Sequence, residues 1–224
     1  MKLYFHPVST TSRPIMLFAA ESGIALEFEL VDLFKGEQLG EAYCRINPNG
    51  QVPVLEDGDF RLTEGASILR YLAEKFESPA YPRDLRRRAR VNETMDWFNT
   101  GLYRDLGYGF IYPQIFPHLK RPDAKVQAAT LAWGRDRSRK WLAILDQHLL
   151  GTKPFLCGDA ISLADYLGSA YLTVGEAIRL DFTPWPNVKG WLERMKARAH
   201  WAKVNEAFYA HLVAPYATTA FETL

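Results

Sequence analysis

The segment from Gly50 to Leu72, "GQVPVLEDGDFRLTEGASILRYL", constrains the fold more than any other part of the chain. Two short apolar runs, "VPVLED" and "FRLTE", flank Asp57-Gly58, a dipeptide that strongly favours a tight β-hairpin turn. The next run, "GASILRYLAEKF", carries its apolar residues at helical spacing. The segment therefore predicts an antiparallel strand pair that leads directly into a helix.

The stretches before this segment add two strands and two helices. "KLYF" and "LEFELVDL" are typical of strands, and "QLGEAYCRI" favours a short helix. "STTSRPIMLFAAESG" predicts a helix, because hydroxyl residues precede it, Pro14 is tolerated in a first turn and Gly23 is a natural stop. The predicted order is β-α-β-α-β-β-α, which suggests a mixed four-stranded sheet with helices packed on it.

No strand pattern follows the segment "ESPAYPRD", and five stretches after it favour helices. The sequence therefore predicts an α/β part followed by an all-α part. We expect a first domain at 1–78, a linker at 79–85 and a helical domain at 86–224.

Composition excludes several classes of function. A net charge of +1 argues against a large phosphate-binding surface, and the basic run "RDLRRRAR" is interpreted as an exposed helix start or a dimer surface. The two cysteines do not make a disulfide framework, and neither they nor the five histidines show metal-ligand spacing. No apolar run is long enough to cross a bilayer, and His6 comes too early for a signal peptide. We expect a cytoplasmic protein without metal, nucleic acid or membrane partners.

A proline opens the first strand of the hairpin. Pro53 removes a backbone donor, so the neighbouring backbone groups of Val52 can form an unfinished sheet edge. An extended peptide can pair with such an edge. A cis Val52–Pro53 bond would make the turn tight, although on local sequence alone a trans bond at a strand start is the commoner case.

The helix after the hairpin begins at "LTEGAS", where Thr63 or Glu64 can cap it. The next amides, beginning with Gly65, are left without helical partners and form an anion site. Because Glu64 can bind an ammonium beside that site, the pair suits the head group of an α-amino acid. The alternative is an ordinary helix cap.

Hydroxyl side chains crowd the loop between the first strand and the first helix. They are Ser9, Thr10, Thr11 and Ser12. One can cap the helix, and another can donate to a thiolate in a cleft. A free thiol has a pKa of about 8.5 and is only about 3% ionised at pH 7, so such a donor makes a thiolate more abundant.

The run "NPNGQVPVLEDGDFRLTEGASILRYLAEKF" closely resembles the glutathione-binding stretch of the glutathione transferases. The resemblance covers nearly the whole chain, and the spacing "VDLFKGEQL…NP…VPVL…DGDF.LTE" is most similar to the theta-like and related bacterial serine-type classes. It implies a thioredoxin-like N-terminal domain with glutathione as cosubstrate, followed by an all-helical domain. It also implies that Pro53 is cis.

The resemblance carries site residues over to this chain. It implies that Val52 pairs with the cysteinyl backbone of glutathione and that Glu64 and the following amides hold the γ-glutamyl head. The full predicted set for glutathione is Thr11, Ser12, Gln38, Gln51, Val52, Pro53, Glu64 and Gly65. The family usually has a serine where this chain has Gly65, so a hydroxyl donor is lost, and weaker binding or a different pose is expected.

The resemblance also points to a thiol activator. In the serine-using classes the activating hydroxyl lies four residues before an arginine in the first helix, and Ser9 and Arg13 have this spacing. We predict Ser9 as the catalytic residue, with the other three loop hydroxyls as competitors. Tyr4 is a further candidate, but a mid-strand tyrosine is more often packed. No cysteine lies in the first turn, which argues against a disulfide-exchanging reductase.

The aromatic run "MDWFNTGLYRDLGYGFIYPQIF" suggests a second, apolar site between the domains. The predicted lining is Trp97, Tyr103, Arg104, Tyr108 and Tyr112. For each of them helix–helix packing is the alternative. The tail "VAPYATTAFETL" either covers the site or is loose, and Ser162 and Asp165 resemble a capping box.

The predicted function is conjugation of the glutathione thiolate to small apolar electrophiles, in a detoxifying homodimer. Two alternatives stay open from the sequence. One is a non-catalytic binding or interaction module of the same fold, and the other is glutathione-dependent cleavage of ethers or peroxides.

Overall fold

The computed structural model describes residues 1–224 and contains one four-stranded sheet. The strands are β1 (Lys2–Phe5), β2 (Glu27–Leu30), β3 (Val54–Asp57) and β4 (Phe60–Leu62). They lie in the order β2-β1-β3-β4; β1 and β2 are parallel, and the other two pairs are antiparallel. The predicted mixed sheet and its hairpin are confirmed.

Helices account for nearly all of the remaining regular structure, as the sequence predicts. They are α1 (Arg13–Glu21), α2 (Glu41–Cys44), α3 (Gly65–Lys75), α4 (Leu85–Trp97), α5 (Tyr112–Ile115), α6 (Ala124–Ile144), α7 (Leu163–Thr173), α8 (Pro186–Lys196) and α9 (Trp201–Phe208). A thioredoxin-like α/β part therefore precedes an all-helical part. The segment without helix or strand runs from 76 to 84, and the division into domains at 1–78 and 86–224 stays a prediction.

The two parts share one hydrophobic core. A single cluster of 47 buried residues includes side chains from the sheet, from α1 and α3, and from the helical part. Phe18 of α1, for example, lies edge-on to Tyr166 of α7, with 5.4 Å between ring centroids. Helix α1, which follows the loop after β1, is thus packed against the helical part of the molecule.

The helix that begins with α4 continues further than the sequence predicts. The pattern "LRRRARVNETMDWFNTGLYRDL" predicts a helix that ends near Leu106, with Gly107 and Gly109 loosening it. Helical geometry instead runs on to Ile115 through π-helical turns at 98–102 and 104–111. At Gly109 the backbone meets Gly134 of α6 so closely that a Cβ on Gly134 would collide with the Gly109 carbonyl. The glycines therefore serve close packing of two helices.

The predicted capping box at the start of α7 is confirmed. The Asp165 carboxylate accepts hydrogen bonds from the Ser162 backbone N–H at 2.8 Å, from the Leu156 N–H at 2.9 Å and from Trp191 Nε1 at 2.9 Å. This carboxylate fixes the start of the central helix of the helical part.

Measured by length and hydropathy, none of the helices qualifies as a bilayer-crossing segment.

Candidate functional site

The loop from Ser9 to Ser12 connects β1 to α1, and its hydroxyl groups point to different partners. The Ser9 carbonyl accepts backbone hydrogen bonds from Ser12 at 3.2 Å and Arg13 at 3.1 Å, which starts the helix. Ser12 is fully buried, and its hydroxyl has no partner and does not cap α1. Thr10 is also buried, whereas Ser9 and Thr11 are partly exposed. Only two of the four hydroxyl residues therefore reach the surface.

Ser9 and Thr11 form a directed chain of hydrogen bonds. Thr11 Oγ1 lies 3.2 Å from the Val52 carbonyl oxygen, which can only accept, so Thr11 donates there. Ser9 Oγ lies 3.1 Å from Thr11 Oγ1 and accepts from the Ser12 N–H at 3.2 Å. Since the Thr11 proton points to Val52, the Ser9 proton points to Thr11.

Val52 presents the backbone edge that the sequence predicts. The Val52–Pro53 peptide bond is cis, and β3 begins only at Val54, which pairs with Tyr4. The Val52 N–H finds no backbone acceptor. An extended peptide can therefore lie along this edge and pair with both backbone groups of Val52.

The N-terminal tip of α3 lies beside this edge. Glu64 occupies the cap position with φ 66° and ψ 113°, but its side chain makes no capping hydrogen bond. Glu64, one of the two cap candidates that the sequence offers, is thus the N-cap residue, and its backbone carbonyl accepts from the Ile68 N–H at 2.9 Å. The amides of Gly65, Ala66 and Ser67 find no backbone acceptor, and Glu64, the residue directly before them, is exposed. The tip can hold an anion and a cation side by side.

Thr11 joins the loop to this helix tip as well. A Cβ placed on Gly65 would lie 2.9 Å from the Thr11 carbonyl oxygen, which is closer than real Cβ atoms approach such an atom. Because no Cβ is present, the loop lies directly against the first turn of α3. The loop, the Val52 edge and the α3 tip thus meet at Thr11.

The two predicted glutamines lie near the Val52 edge, Gln38 beside Gly50 and Gln51 directly before Val52. Gln38 belongs to a short 3₁₀ turn at 37–39, and its backbone oxygen would lie 3.2 Å from a Cβ on Gly50. Gln51 directly precedes Val52, and its carbonyl accepts from Tyr43 Oη at 2.8 Å and Asn47 Nδ2 at 2.7 Å. The Gln51 side chain is exposed.

Three of the aromatic residues that the sequence singles out lie together. Tyr103, Tyr108 and Tyr112 are mutual neighbours, with ring centroids 5.0 to 6.0 Å apart. Tyr112 is buried, and its hydroxyl lies 2.9 Å from Thr10 Oγ1 in the β1–α1 loop. Trp97 lies elsewhere and packs edge-on against Trp141 with ring centroids 5.2 Å apart.

Arg104 and Tyr108 line an open groove of about 550 Å³ on the helical part. Tyr108 is 47% exposed, and Trp133 across the groove is 51% exposed. The Arg104 guanidinium donates to the buried Asp105 carboxylate at 2.7 Å. Of the predicted electrophile residues, these two therefore face solvent.

The C-terminal tail is docked on the helical part. The Gln114 side chain bonds both the N–H of Glu222, at 2.8 Å, and its carbonyl, at 3.3 Å. Arg179 donates to the carbonyls of Tyr216 at 3.1 Å and Thr219 at 2.7 Å. The tail is thus bonded to α5 through Gln114 and, through Arg179, to the segment that follows α7.

The contact between Thr10 and Tyr112 is the part of the site that the sequence analysis misses. The two residues are 102 positions apart, and no local pattern connects a loop hydroxyl with one particular tyrosine. Elsewhere, no three side chains of His, Cys, Asp or Glu converge as metal ligands would.

Comparison with known proteins identifies the family. Residues 1–74 match the family model "Glutathione S-transferase, N-terminal domain", and residues 106–199 match "Glutathione S-transferase, C-terminal domain". The chain is 37% identical to human glutathione S-transferase theta-1 over 88% of its own length and 82% of the relative. It is 35% identical to the bovine theta-1 enzyme over 100% of its own length and 94% of the relative.

A solved structure of human glutathione transferase theta-2, in complex with glutathione and an unknown ligand, has the same fold. It superposes with a TM-score of 0.84 at 31% identity, over 100% of this chain and 93% of that one. The predicted resemblance is confirmed in both halves of the molecule. The chain therefore belongs to the glutathione S-transferase family, a family of enzymes that take glutathione as their cosubstrate.

Proposed function

We propose that this enzyme transfers the thiolate of glutathione to small apolar electrophiles and that the Ser9 hydroxyl activates the thiol. The observation that carries the proposal is the meeting of three elements at Thr11: the hydroxyl loop, the Val52 edge and the α3 tip. Each element matches one requirement of a γ-linked tripeptide whose sulfur must be held beside a donor.

The tripeptide binds with its head group at the helix tip. The free amides from Gly65 onwards receive the γ-glutamyl carboxylate, and Glu64 receives the ammonium group. The cysteinyl backbone pairs with the N–H and C=O of Val52, and Gln38 and Gln51 supply the remaining contacts. Thr11, which bonds to the Val52 carbonyl, lies beside the bound peptide in this binding mode.

The chemistry is that of thiol ionisation. The Ser9 hydroxyl, whose proton points to Thr11 in the structure, turns to the sulfur of the bound peptide and stabilises its negative charge. Lowering the thiol pKa by two units from about 8.5 corresponds to about 2.7 kcal/mol and makes the thiolate the major form at pH 7. The thiolate then attacks an electrophilic carbon, forming a C–S bond and releasing a leaving group or giving an addition product.

The electrophile binds on the helical side of the sulfur. Arg104 and Tyr108 line an open groove beside the tyrosine cluster, which supports them as contacts for an apolar substrate. Tyr103 and Tyr112 pack against Tyr108, with ring centroids 5.5 and 5.0 Å from its own. We extend the proposal to a homodimer that acts in detoxification in the cytoplasm, as is typical of the family.

Replacing Ser9 with alanine tests the activator. We expect kcat/KM with a chlorodinitrobenzene-type electrophile to fall at least about tenfold, equivalent to about 1.4 kcal/mol of transition-state stabilisation. The pH profile should shift to higher pH, because the bound thiol loses a donor to its ionised form. Ser22→Ala, at an exposed position after α1, is the matched control. Unchanged turnover in Ser9→Ala would contradict the assignment.

A further inference from the structure

A buried hydrogen bond connects the loop of Ser9 to the helical part of the molecule. Thr10 Oγ1 lies 2.9 Å from Tyr112 Oη, and both residues are 6% exposed. Tyr112 Oη in turn lies 2.7 Å from Tyr103 Oη. Three hydroxyl groups therefore form a continuous chain from the β1–α1 loop into the helix that follows α4.

The two phenols in this chain keep their protons at neutral pH. Burial raises the pKa of Tyr112 to about 12, and burial raises the pKa of Tyr103 well above its ordinary value. The Tyr112 oxygen takes part in both hydrogen bonds of this chain, one with Thr10 and one with Tyr103. Removing the Tyr112 oxygen therefore breaks both contacts, whereas removing the Tyr103 oxygen leaves the contact with Thr10 intact.

Thr10 lies between Ser9 and Thr11, the two loop residues that are partly exposed beside the proposed glutathione site. Ser9 and Thr11 bond to each other, and Thr11 bonds to the Val52 edge. Thr10 alone of these three bonds across to the helical part. The loop from Ser9 to Ser12 is thus hydrogen-bonded to the sheet edge at Val52 through Thr11 and to Tyr112 of the helical part through Thr10.

We propose that Tyr112 is a positioning residue that acts through Thr10 to hold the β1–α1 loop where Ser9 can face the sulfur of bound glutathione. The inference rests on the proposed role of Ser9. It gives Tyr112 a role in thiol activation rather than in contact with the electrophile, since its hydroxyl is buried and already bonded on both sides.

The test is the titration of bound glutathione in a Tyr112→Phe variant, followed by the ultraviolet absorbance of the thiolate. The ring remains and one hydroxyl is lost, so we expect the apparent pKa of the thiol to rise by about half a unit to one unit. Below that pKa, kcat/KM should fall about threefold to tenfold, with a smaller change in the KM for glutathione.

Tyr171→Phe is the matched control. Tyr171 is 2% exposed, stacks on Tyr103 with 4.2 Å between centroids, and bonds through its hydroxyl to Asn99 Oδ1 at 2.6 Å. Its loss should lower the stability of the fold about as much as the loss of the Tyr112 hydroxyl, while the thiol titrates as in the wild type. A Tyr112→Phe variant that titrates like Tyr171→Phe overturns the inference.

Two further variants locate the effect. Thr10→Val combined with Tyr112→Phe should raise the thiol pKa no more than the larger of the two single changes, because both remove the same bond. Additive shifts would overturn the route through Thr10. If Ser9→Ala leaves the thiol titration unchanged while Tyr112→Phe shifts it, the role of Ser9 falls, and the route from Tyr112 to the thiol through Ser9 falls with it. If Ser9→Ala shifts the titration while Tyr112→Phe does not, the role of Ser9 stands and the inference about Tyr112 falls. If neither variant shifts the titration, both proposals fall.

Discussion

Replacement of Arg13 by methionine is expected to lower the free energy of unfolding by about 3 kcal/mol or more. Arg13 is 1% exposed at the start of α1 and has no carboxylate partner. Its guanidinium donates instead to Asn205 Oδ1 at 2.8 Å, the Ala170 carbonyl at 2.9 Å and Thr173 Oγ1 at 3.3 Å. It also lies 3.8 Å from the centroid of the Phe208 ring. Methionine keeps much of the volume but leaves these buried acceptors without their donors.

Chemical denaturation with urea measures this loss. Arg139→Met, at an exposed position on α6, is the control for removing a positive charge from a helix. Activity should fall together with stability, because the guanidinium bonds hold the start of α1 against the helical part, and the Ser9 carbonyl accepts its backbone hydrogen bonds at that same start. If Arg13→Met and Arg139→Met unfold at the same urea concentration, the three hydrogen bonds do not hold the two parts together.

Restoring the usual family serine at Gly65 is expected to weaken glutathione binding by about 30-fold, or about 2 kcal/mol. A simple loss of a hydroxyl donor predicts the opposite, namely that the serine would improve binding. The added Cβ would lie 2.9 Å from the Thr11 carbonyl, a backbone atom in a loop that Thr10 and Thr11 fasten on both sides. Either the loop or the helix tip must move, and both belong to the proposed glutathione site.

Calorimetric titration with glutathione shows whether Gly65→Ser binds it more weakly, as the steric argument predicts, or more tightly, as the gain of a hydroxyl donor would predict. Gly65→Ala introduces the Cβ without the hydroxyl, so it should lose affinity to the same extent as Gly65→Ser. Tighter binding by Gly65→Ser than by the wild type would contradict the steric account. Weaker binding by alanine combined with wild-type binding by serine would show that the hydroxyl offsets the collision.

Much of the fold can be predicted from local patterns. The Asp57-Gly58 turn and the apolar runs beside it define the hairpin, and the order of strands and helices follows from their periodicity. The capping box at Ser162 and Asp165 is a local motif and is correct. The extent of the helix after α4 is not predictable in this way, because a glycine such as Gly109 is expected to loosen a helix, and only its contact with α6 explains why it is there.

In the candidate site, too, features that depend on a contiguous motif can be predicted from the sequence, whereas features that depend on tertiary contacts cannot. The resemblance to the family brings out the cis bond at Pro53 and the edge at Val52, since both follow from a contiguous motif. The four loop hydroxyls have nearly the same chemistry in the sequence, and tertiary contacts alone distinguish them: Ser12 is fully buried and Thr10 bonds to Tyr112. The collision at Gly65 likewise depends on the distance between two segments that are far apart in the chain.

The π-helical turns between Phe98 and Ile111 open a route for divergence among paralogues. Inserting or deleting one residue in a helix rotates everything beyond it by about 100° around the helix axis. Tyr112 follows these turns immediately, so a single deletion would swing its hydroxyl away from Thr10 and leave the β1–α1 loop unaltered in sequence. Under the proposed role of Tyr112, gene duplicates with identical glutathione-binding residues can therefore evolve different thiol pKa values through the length of this helix.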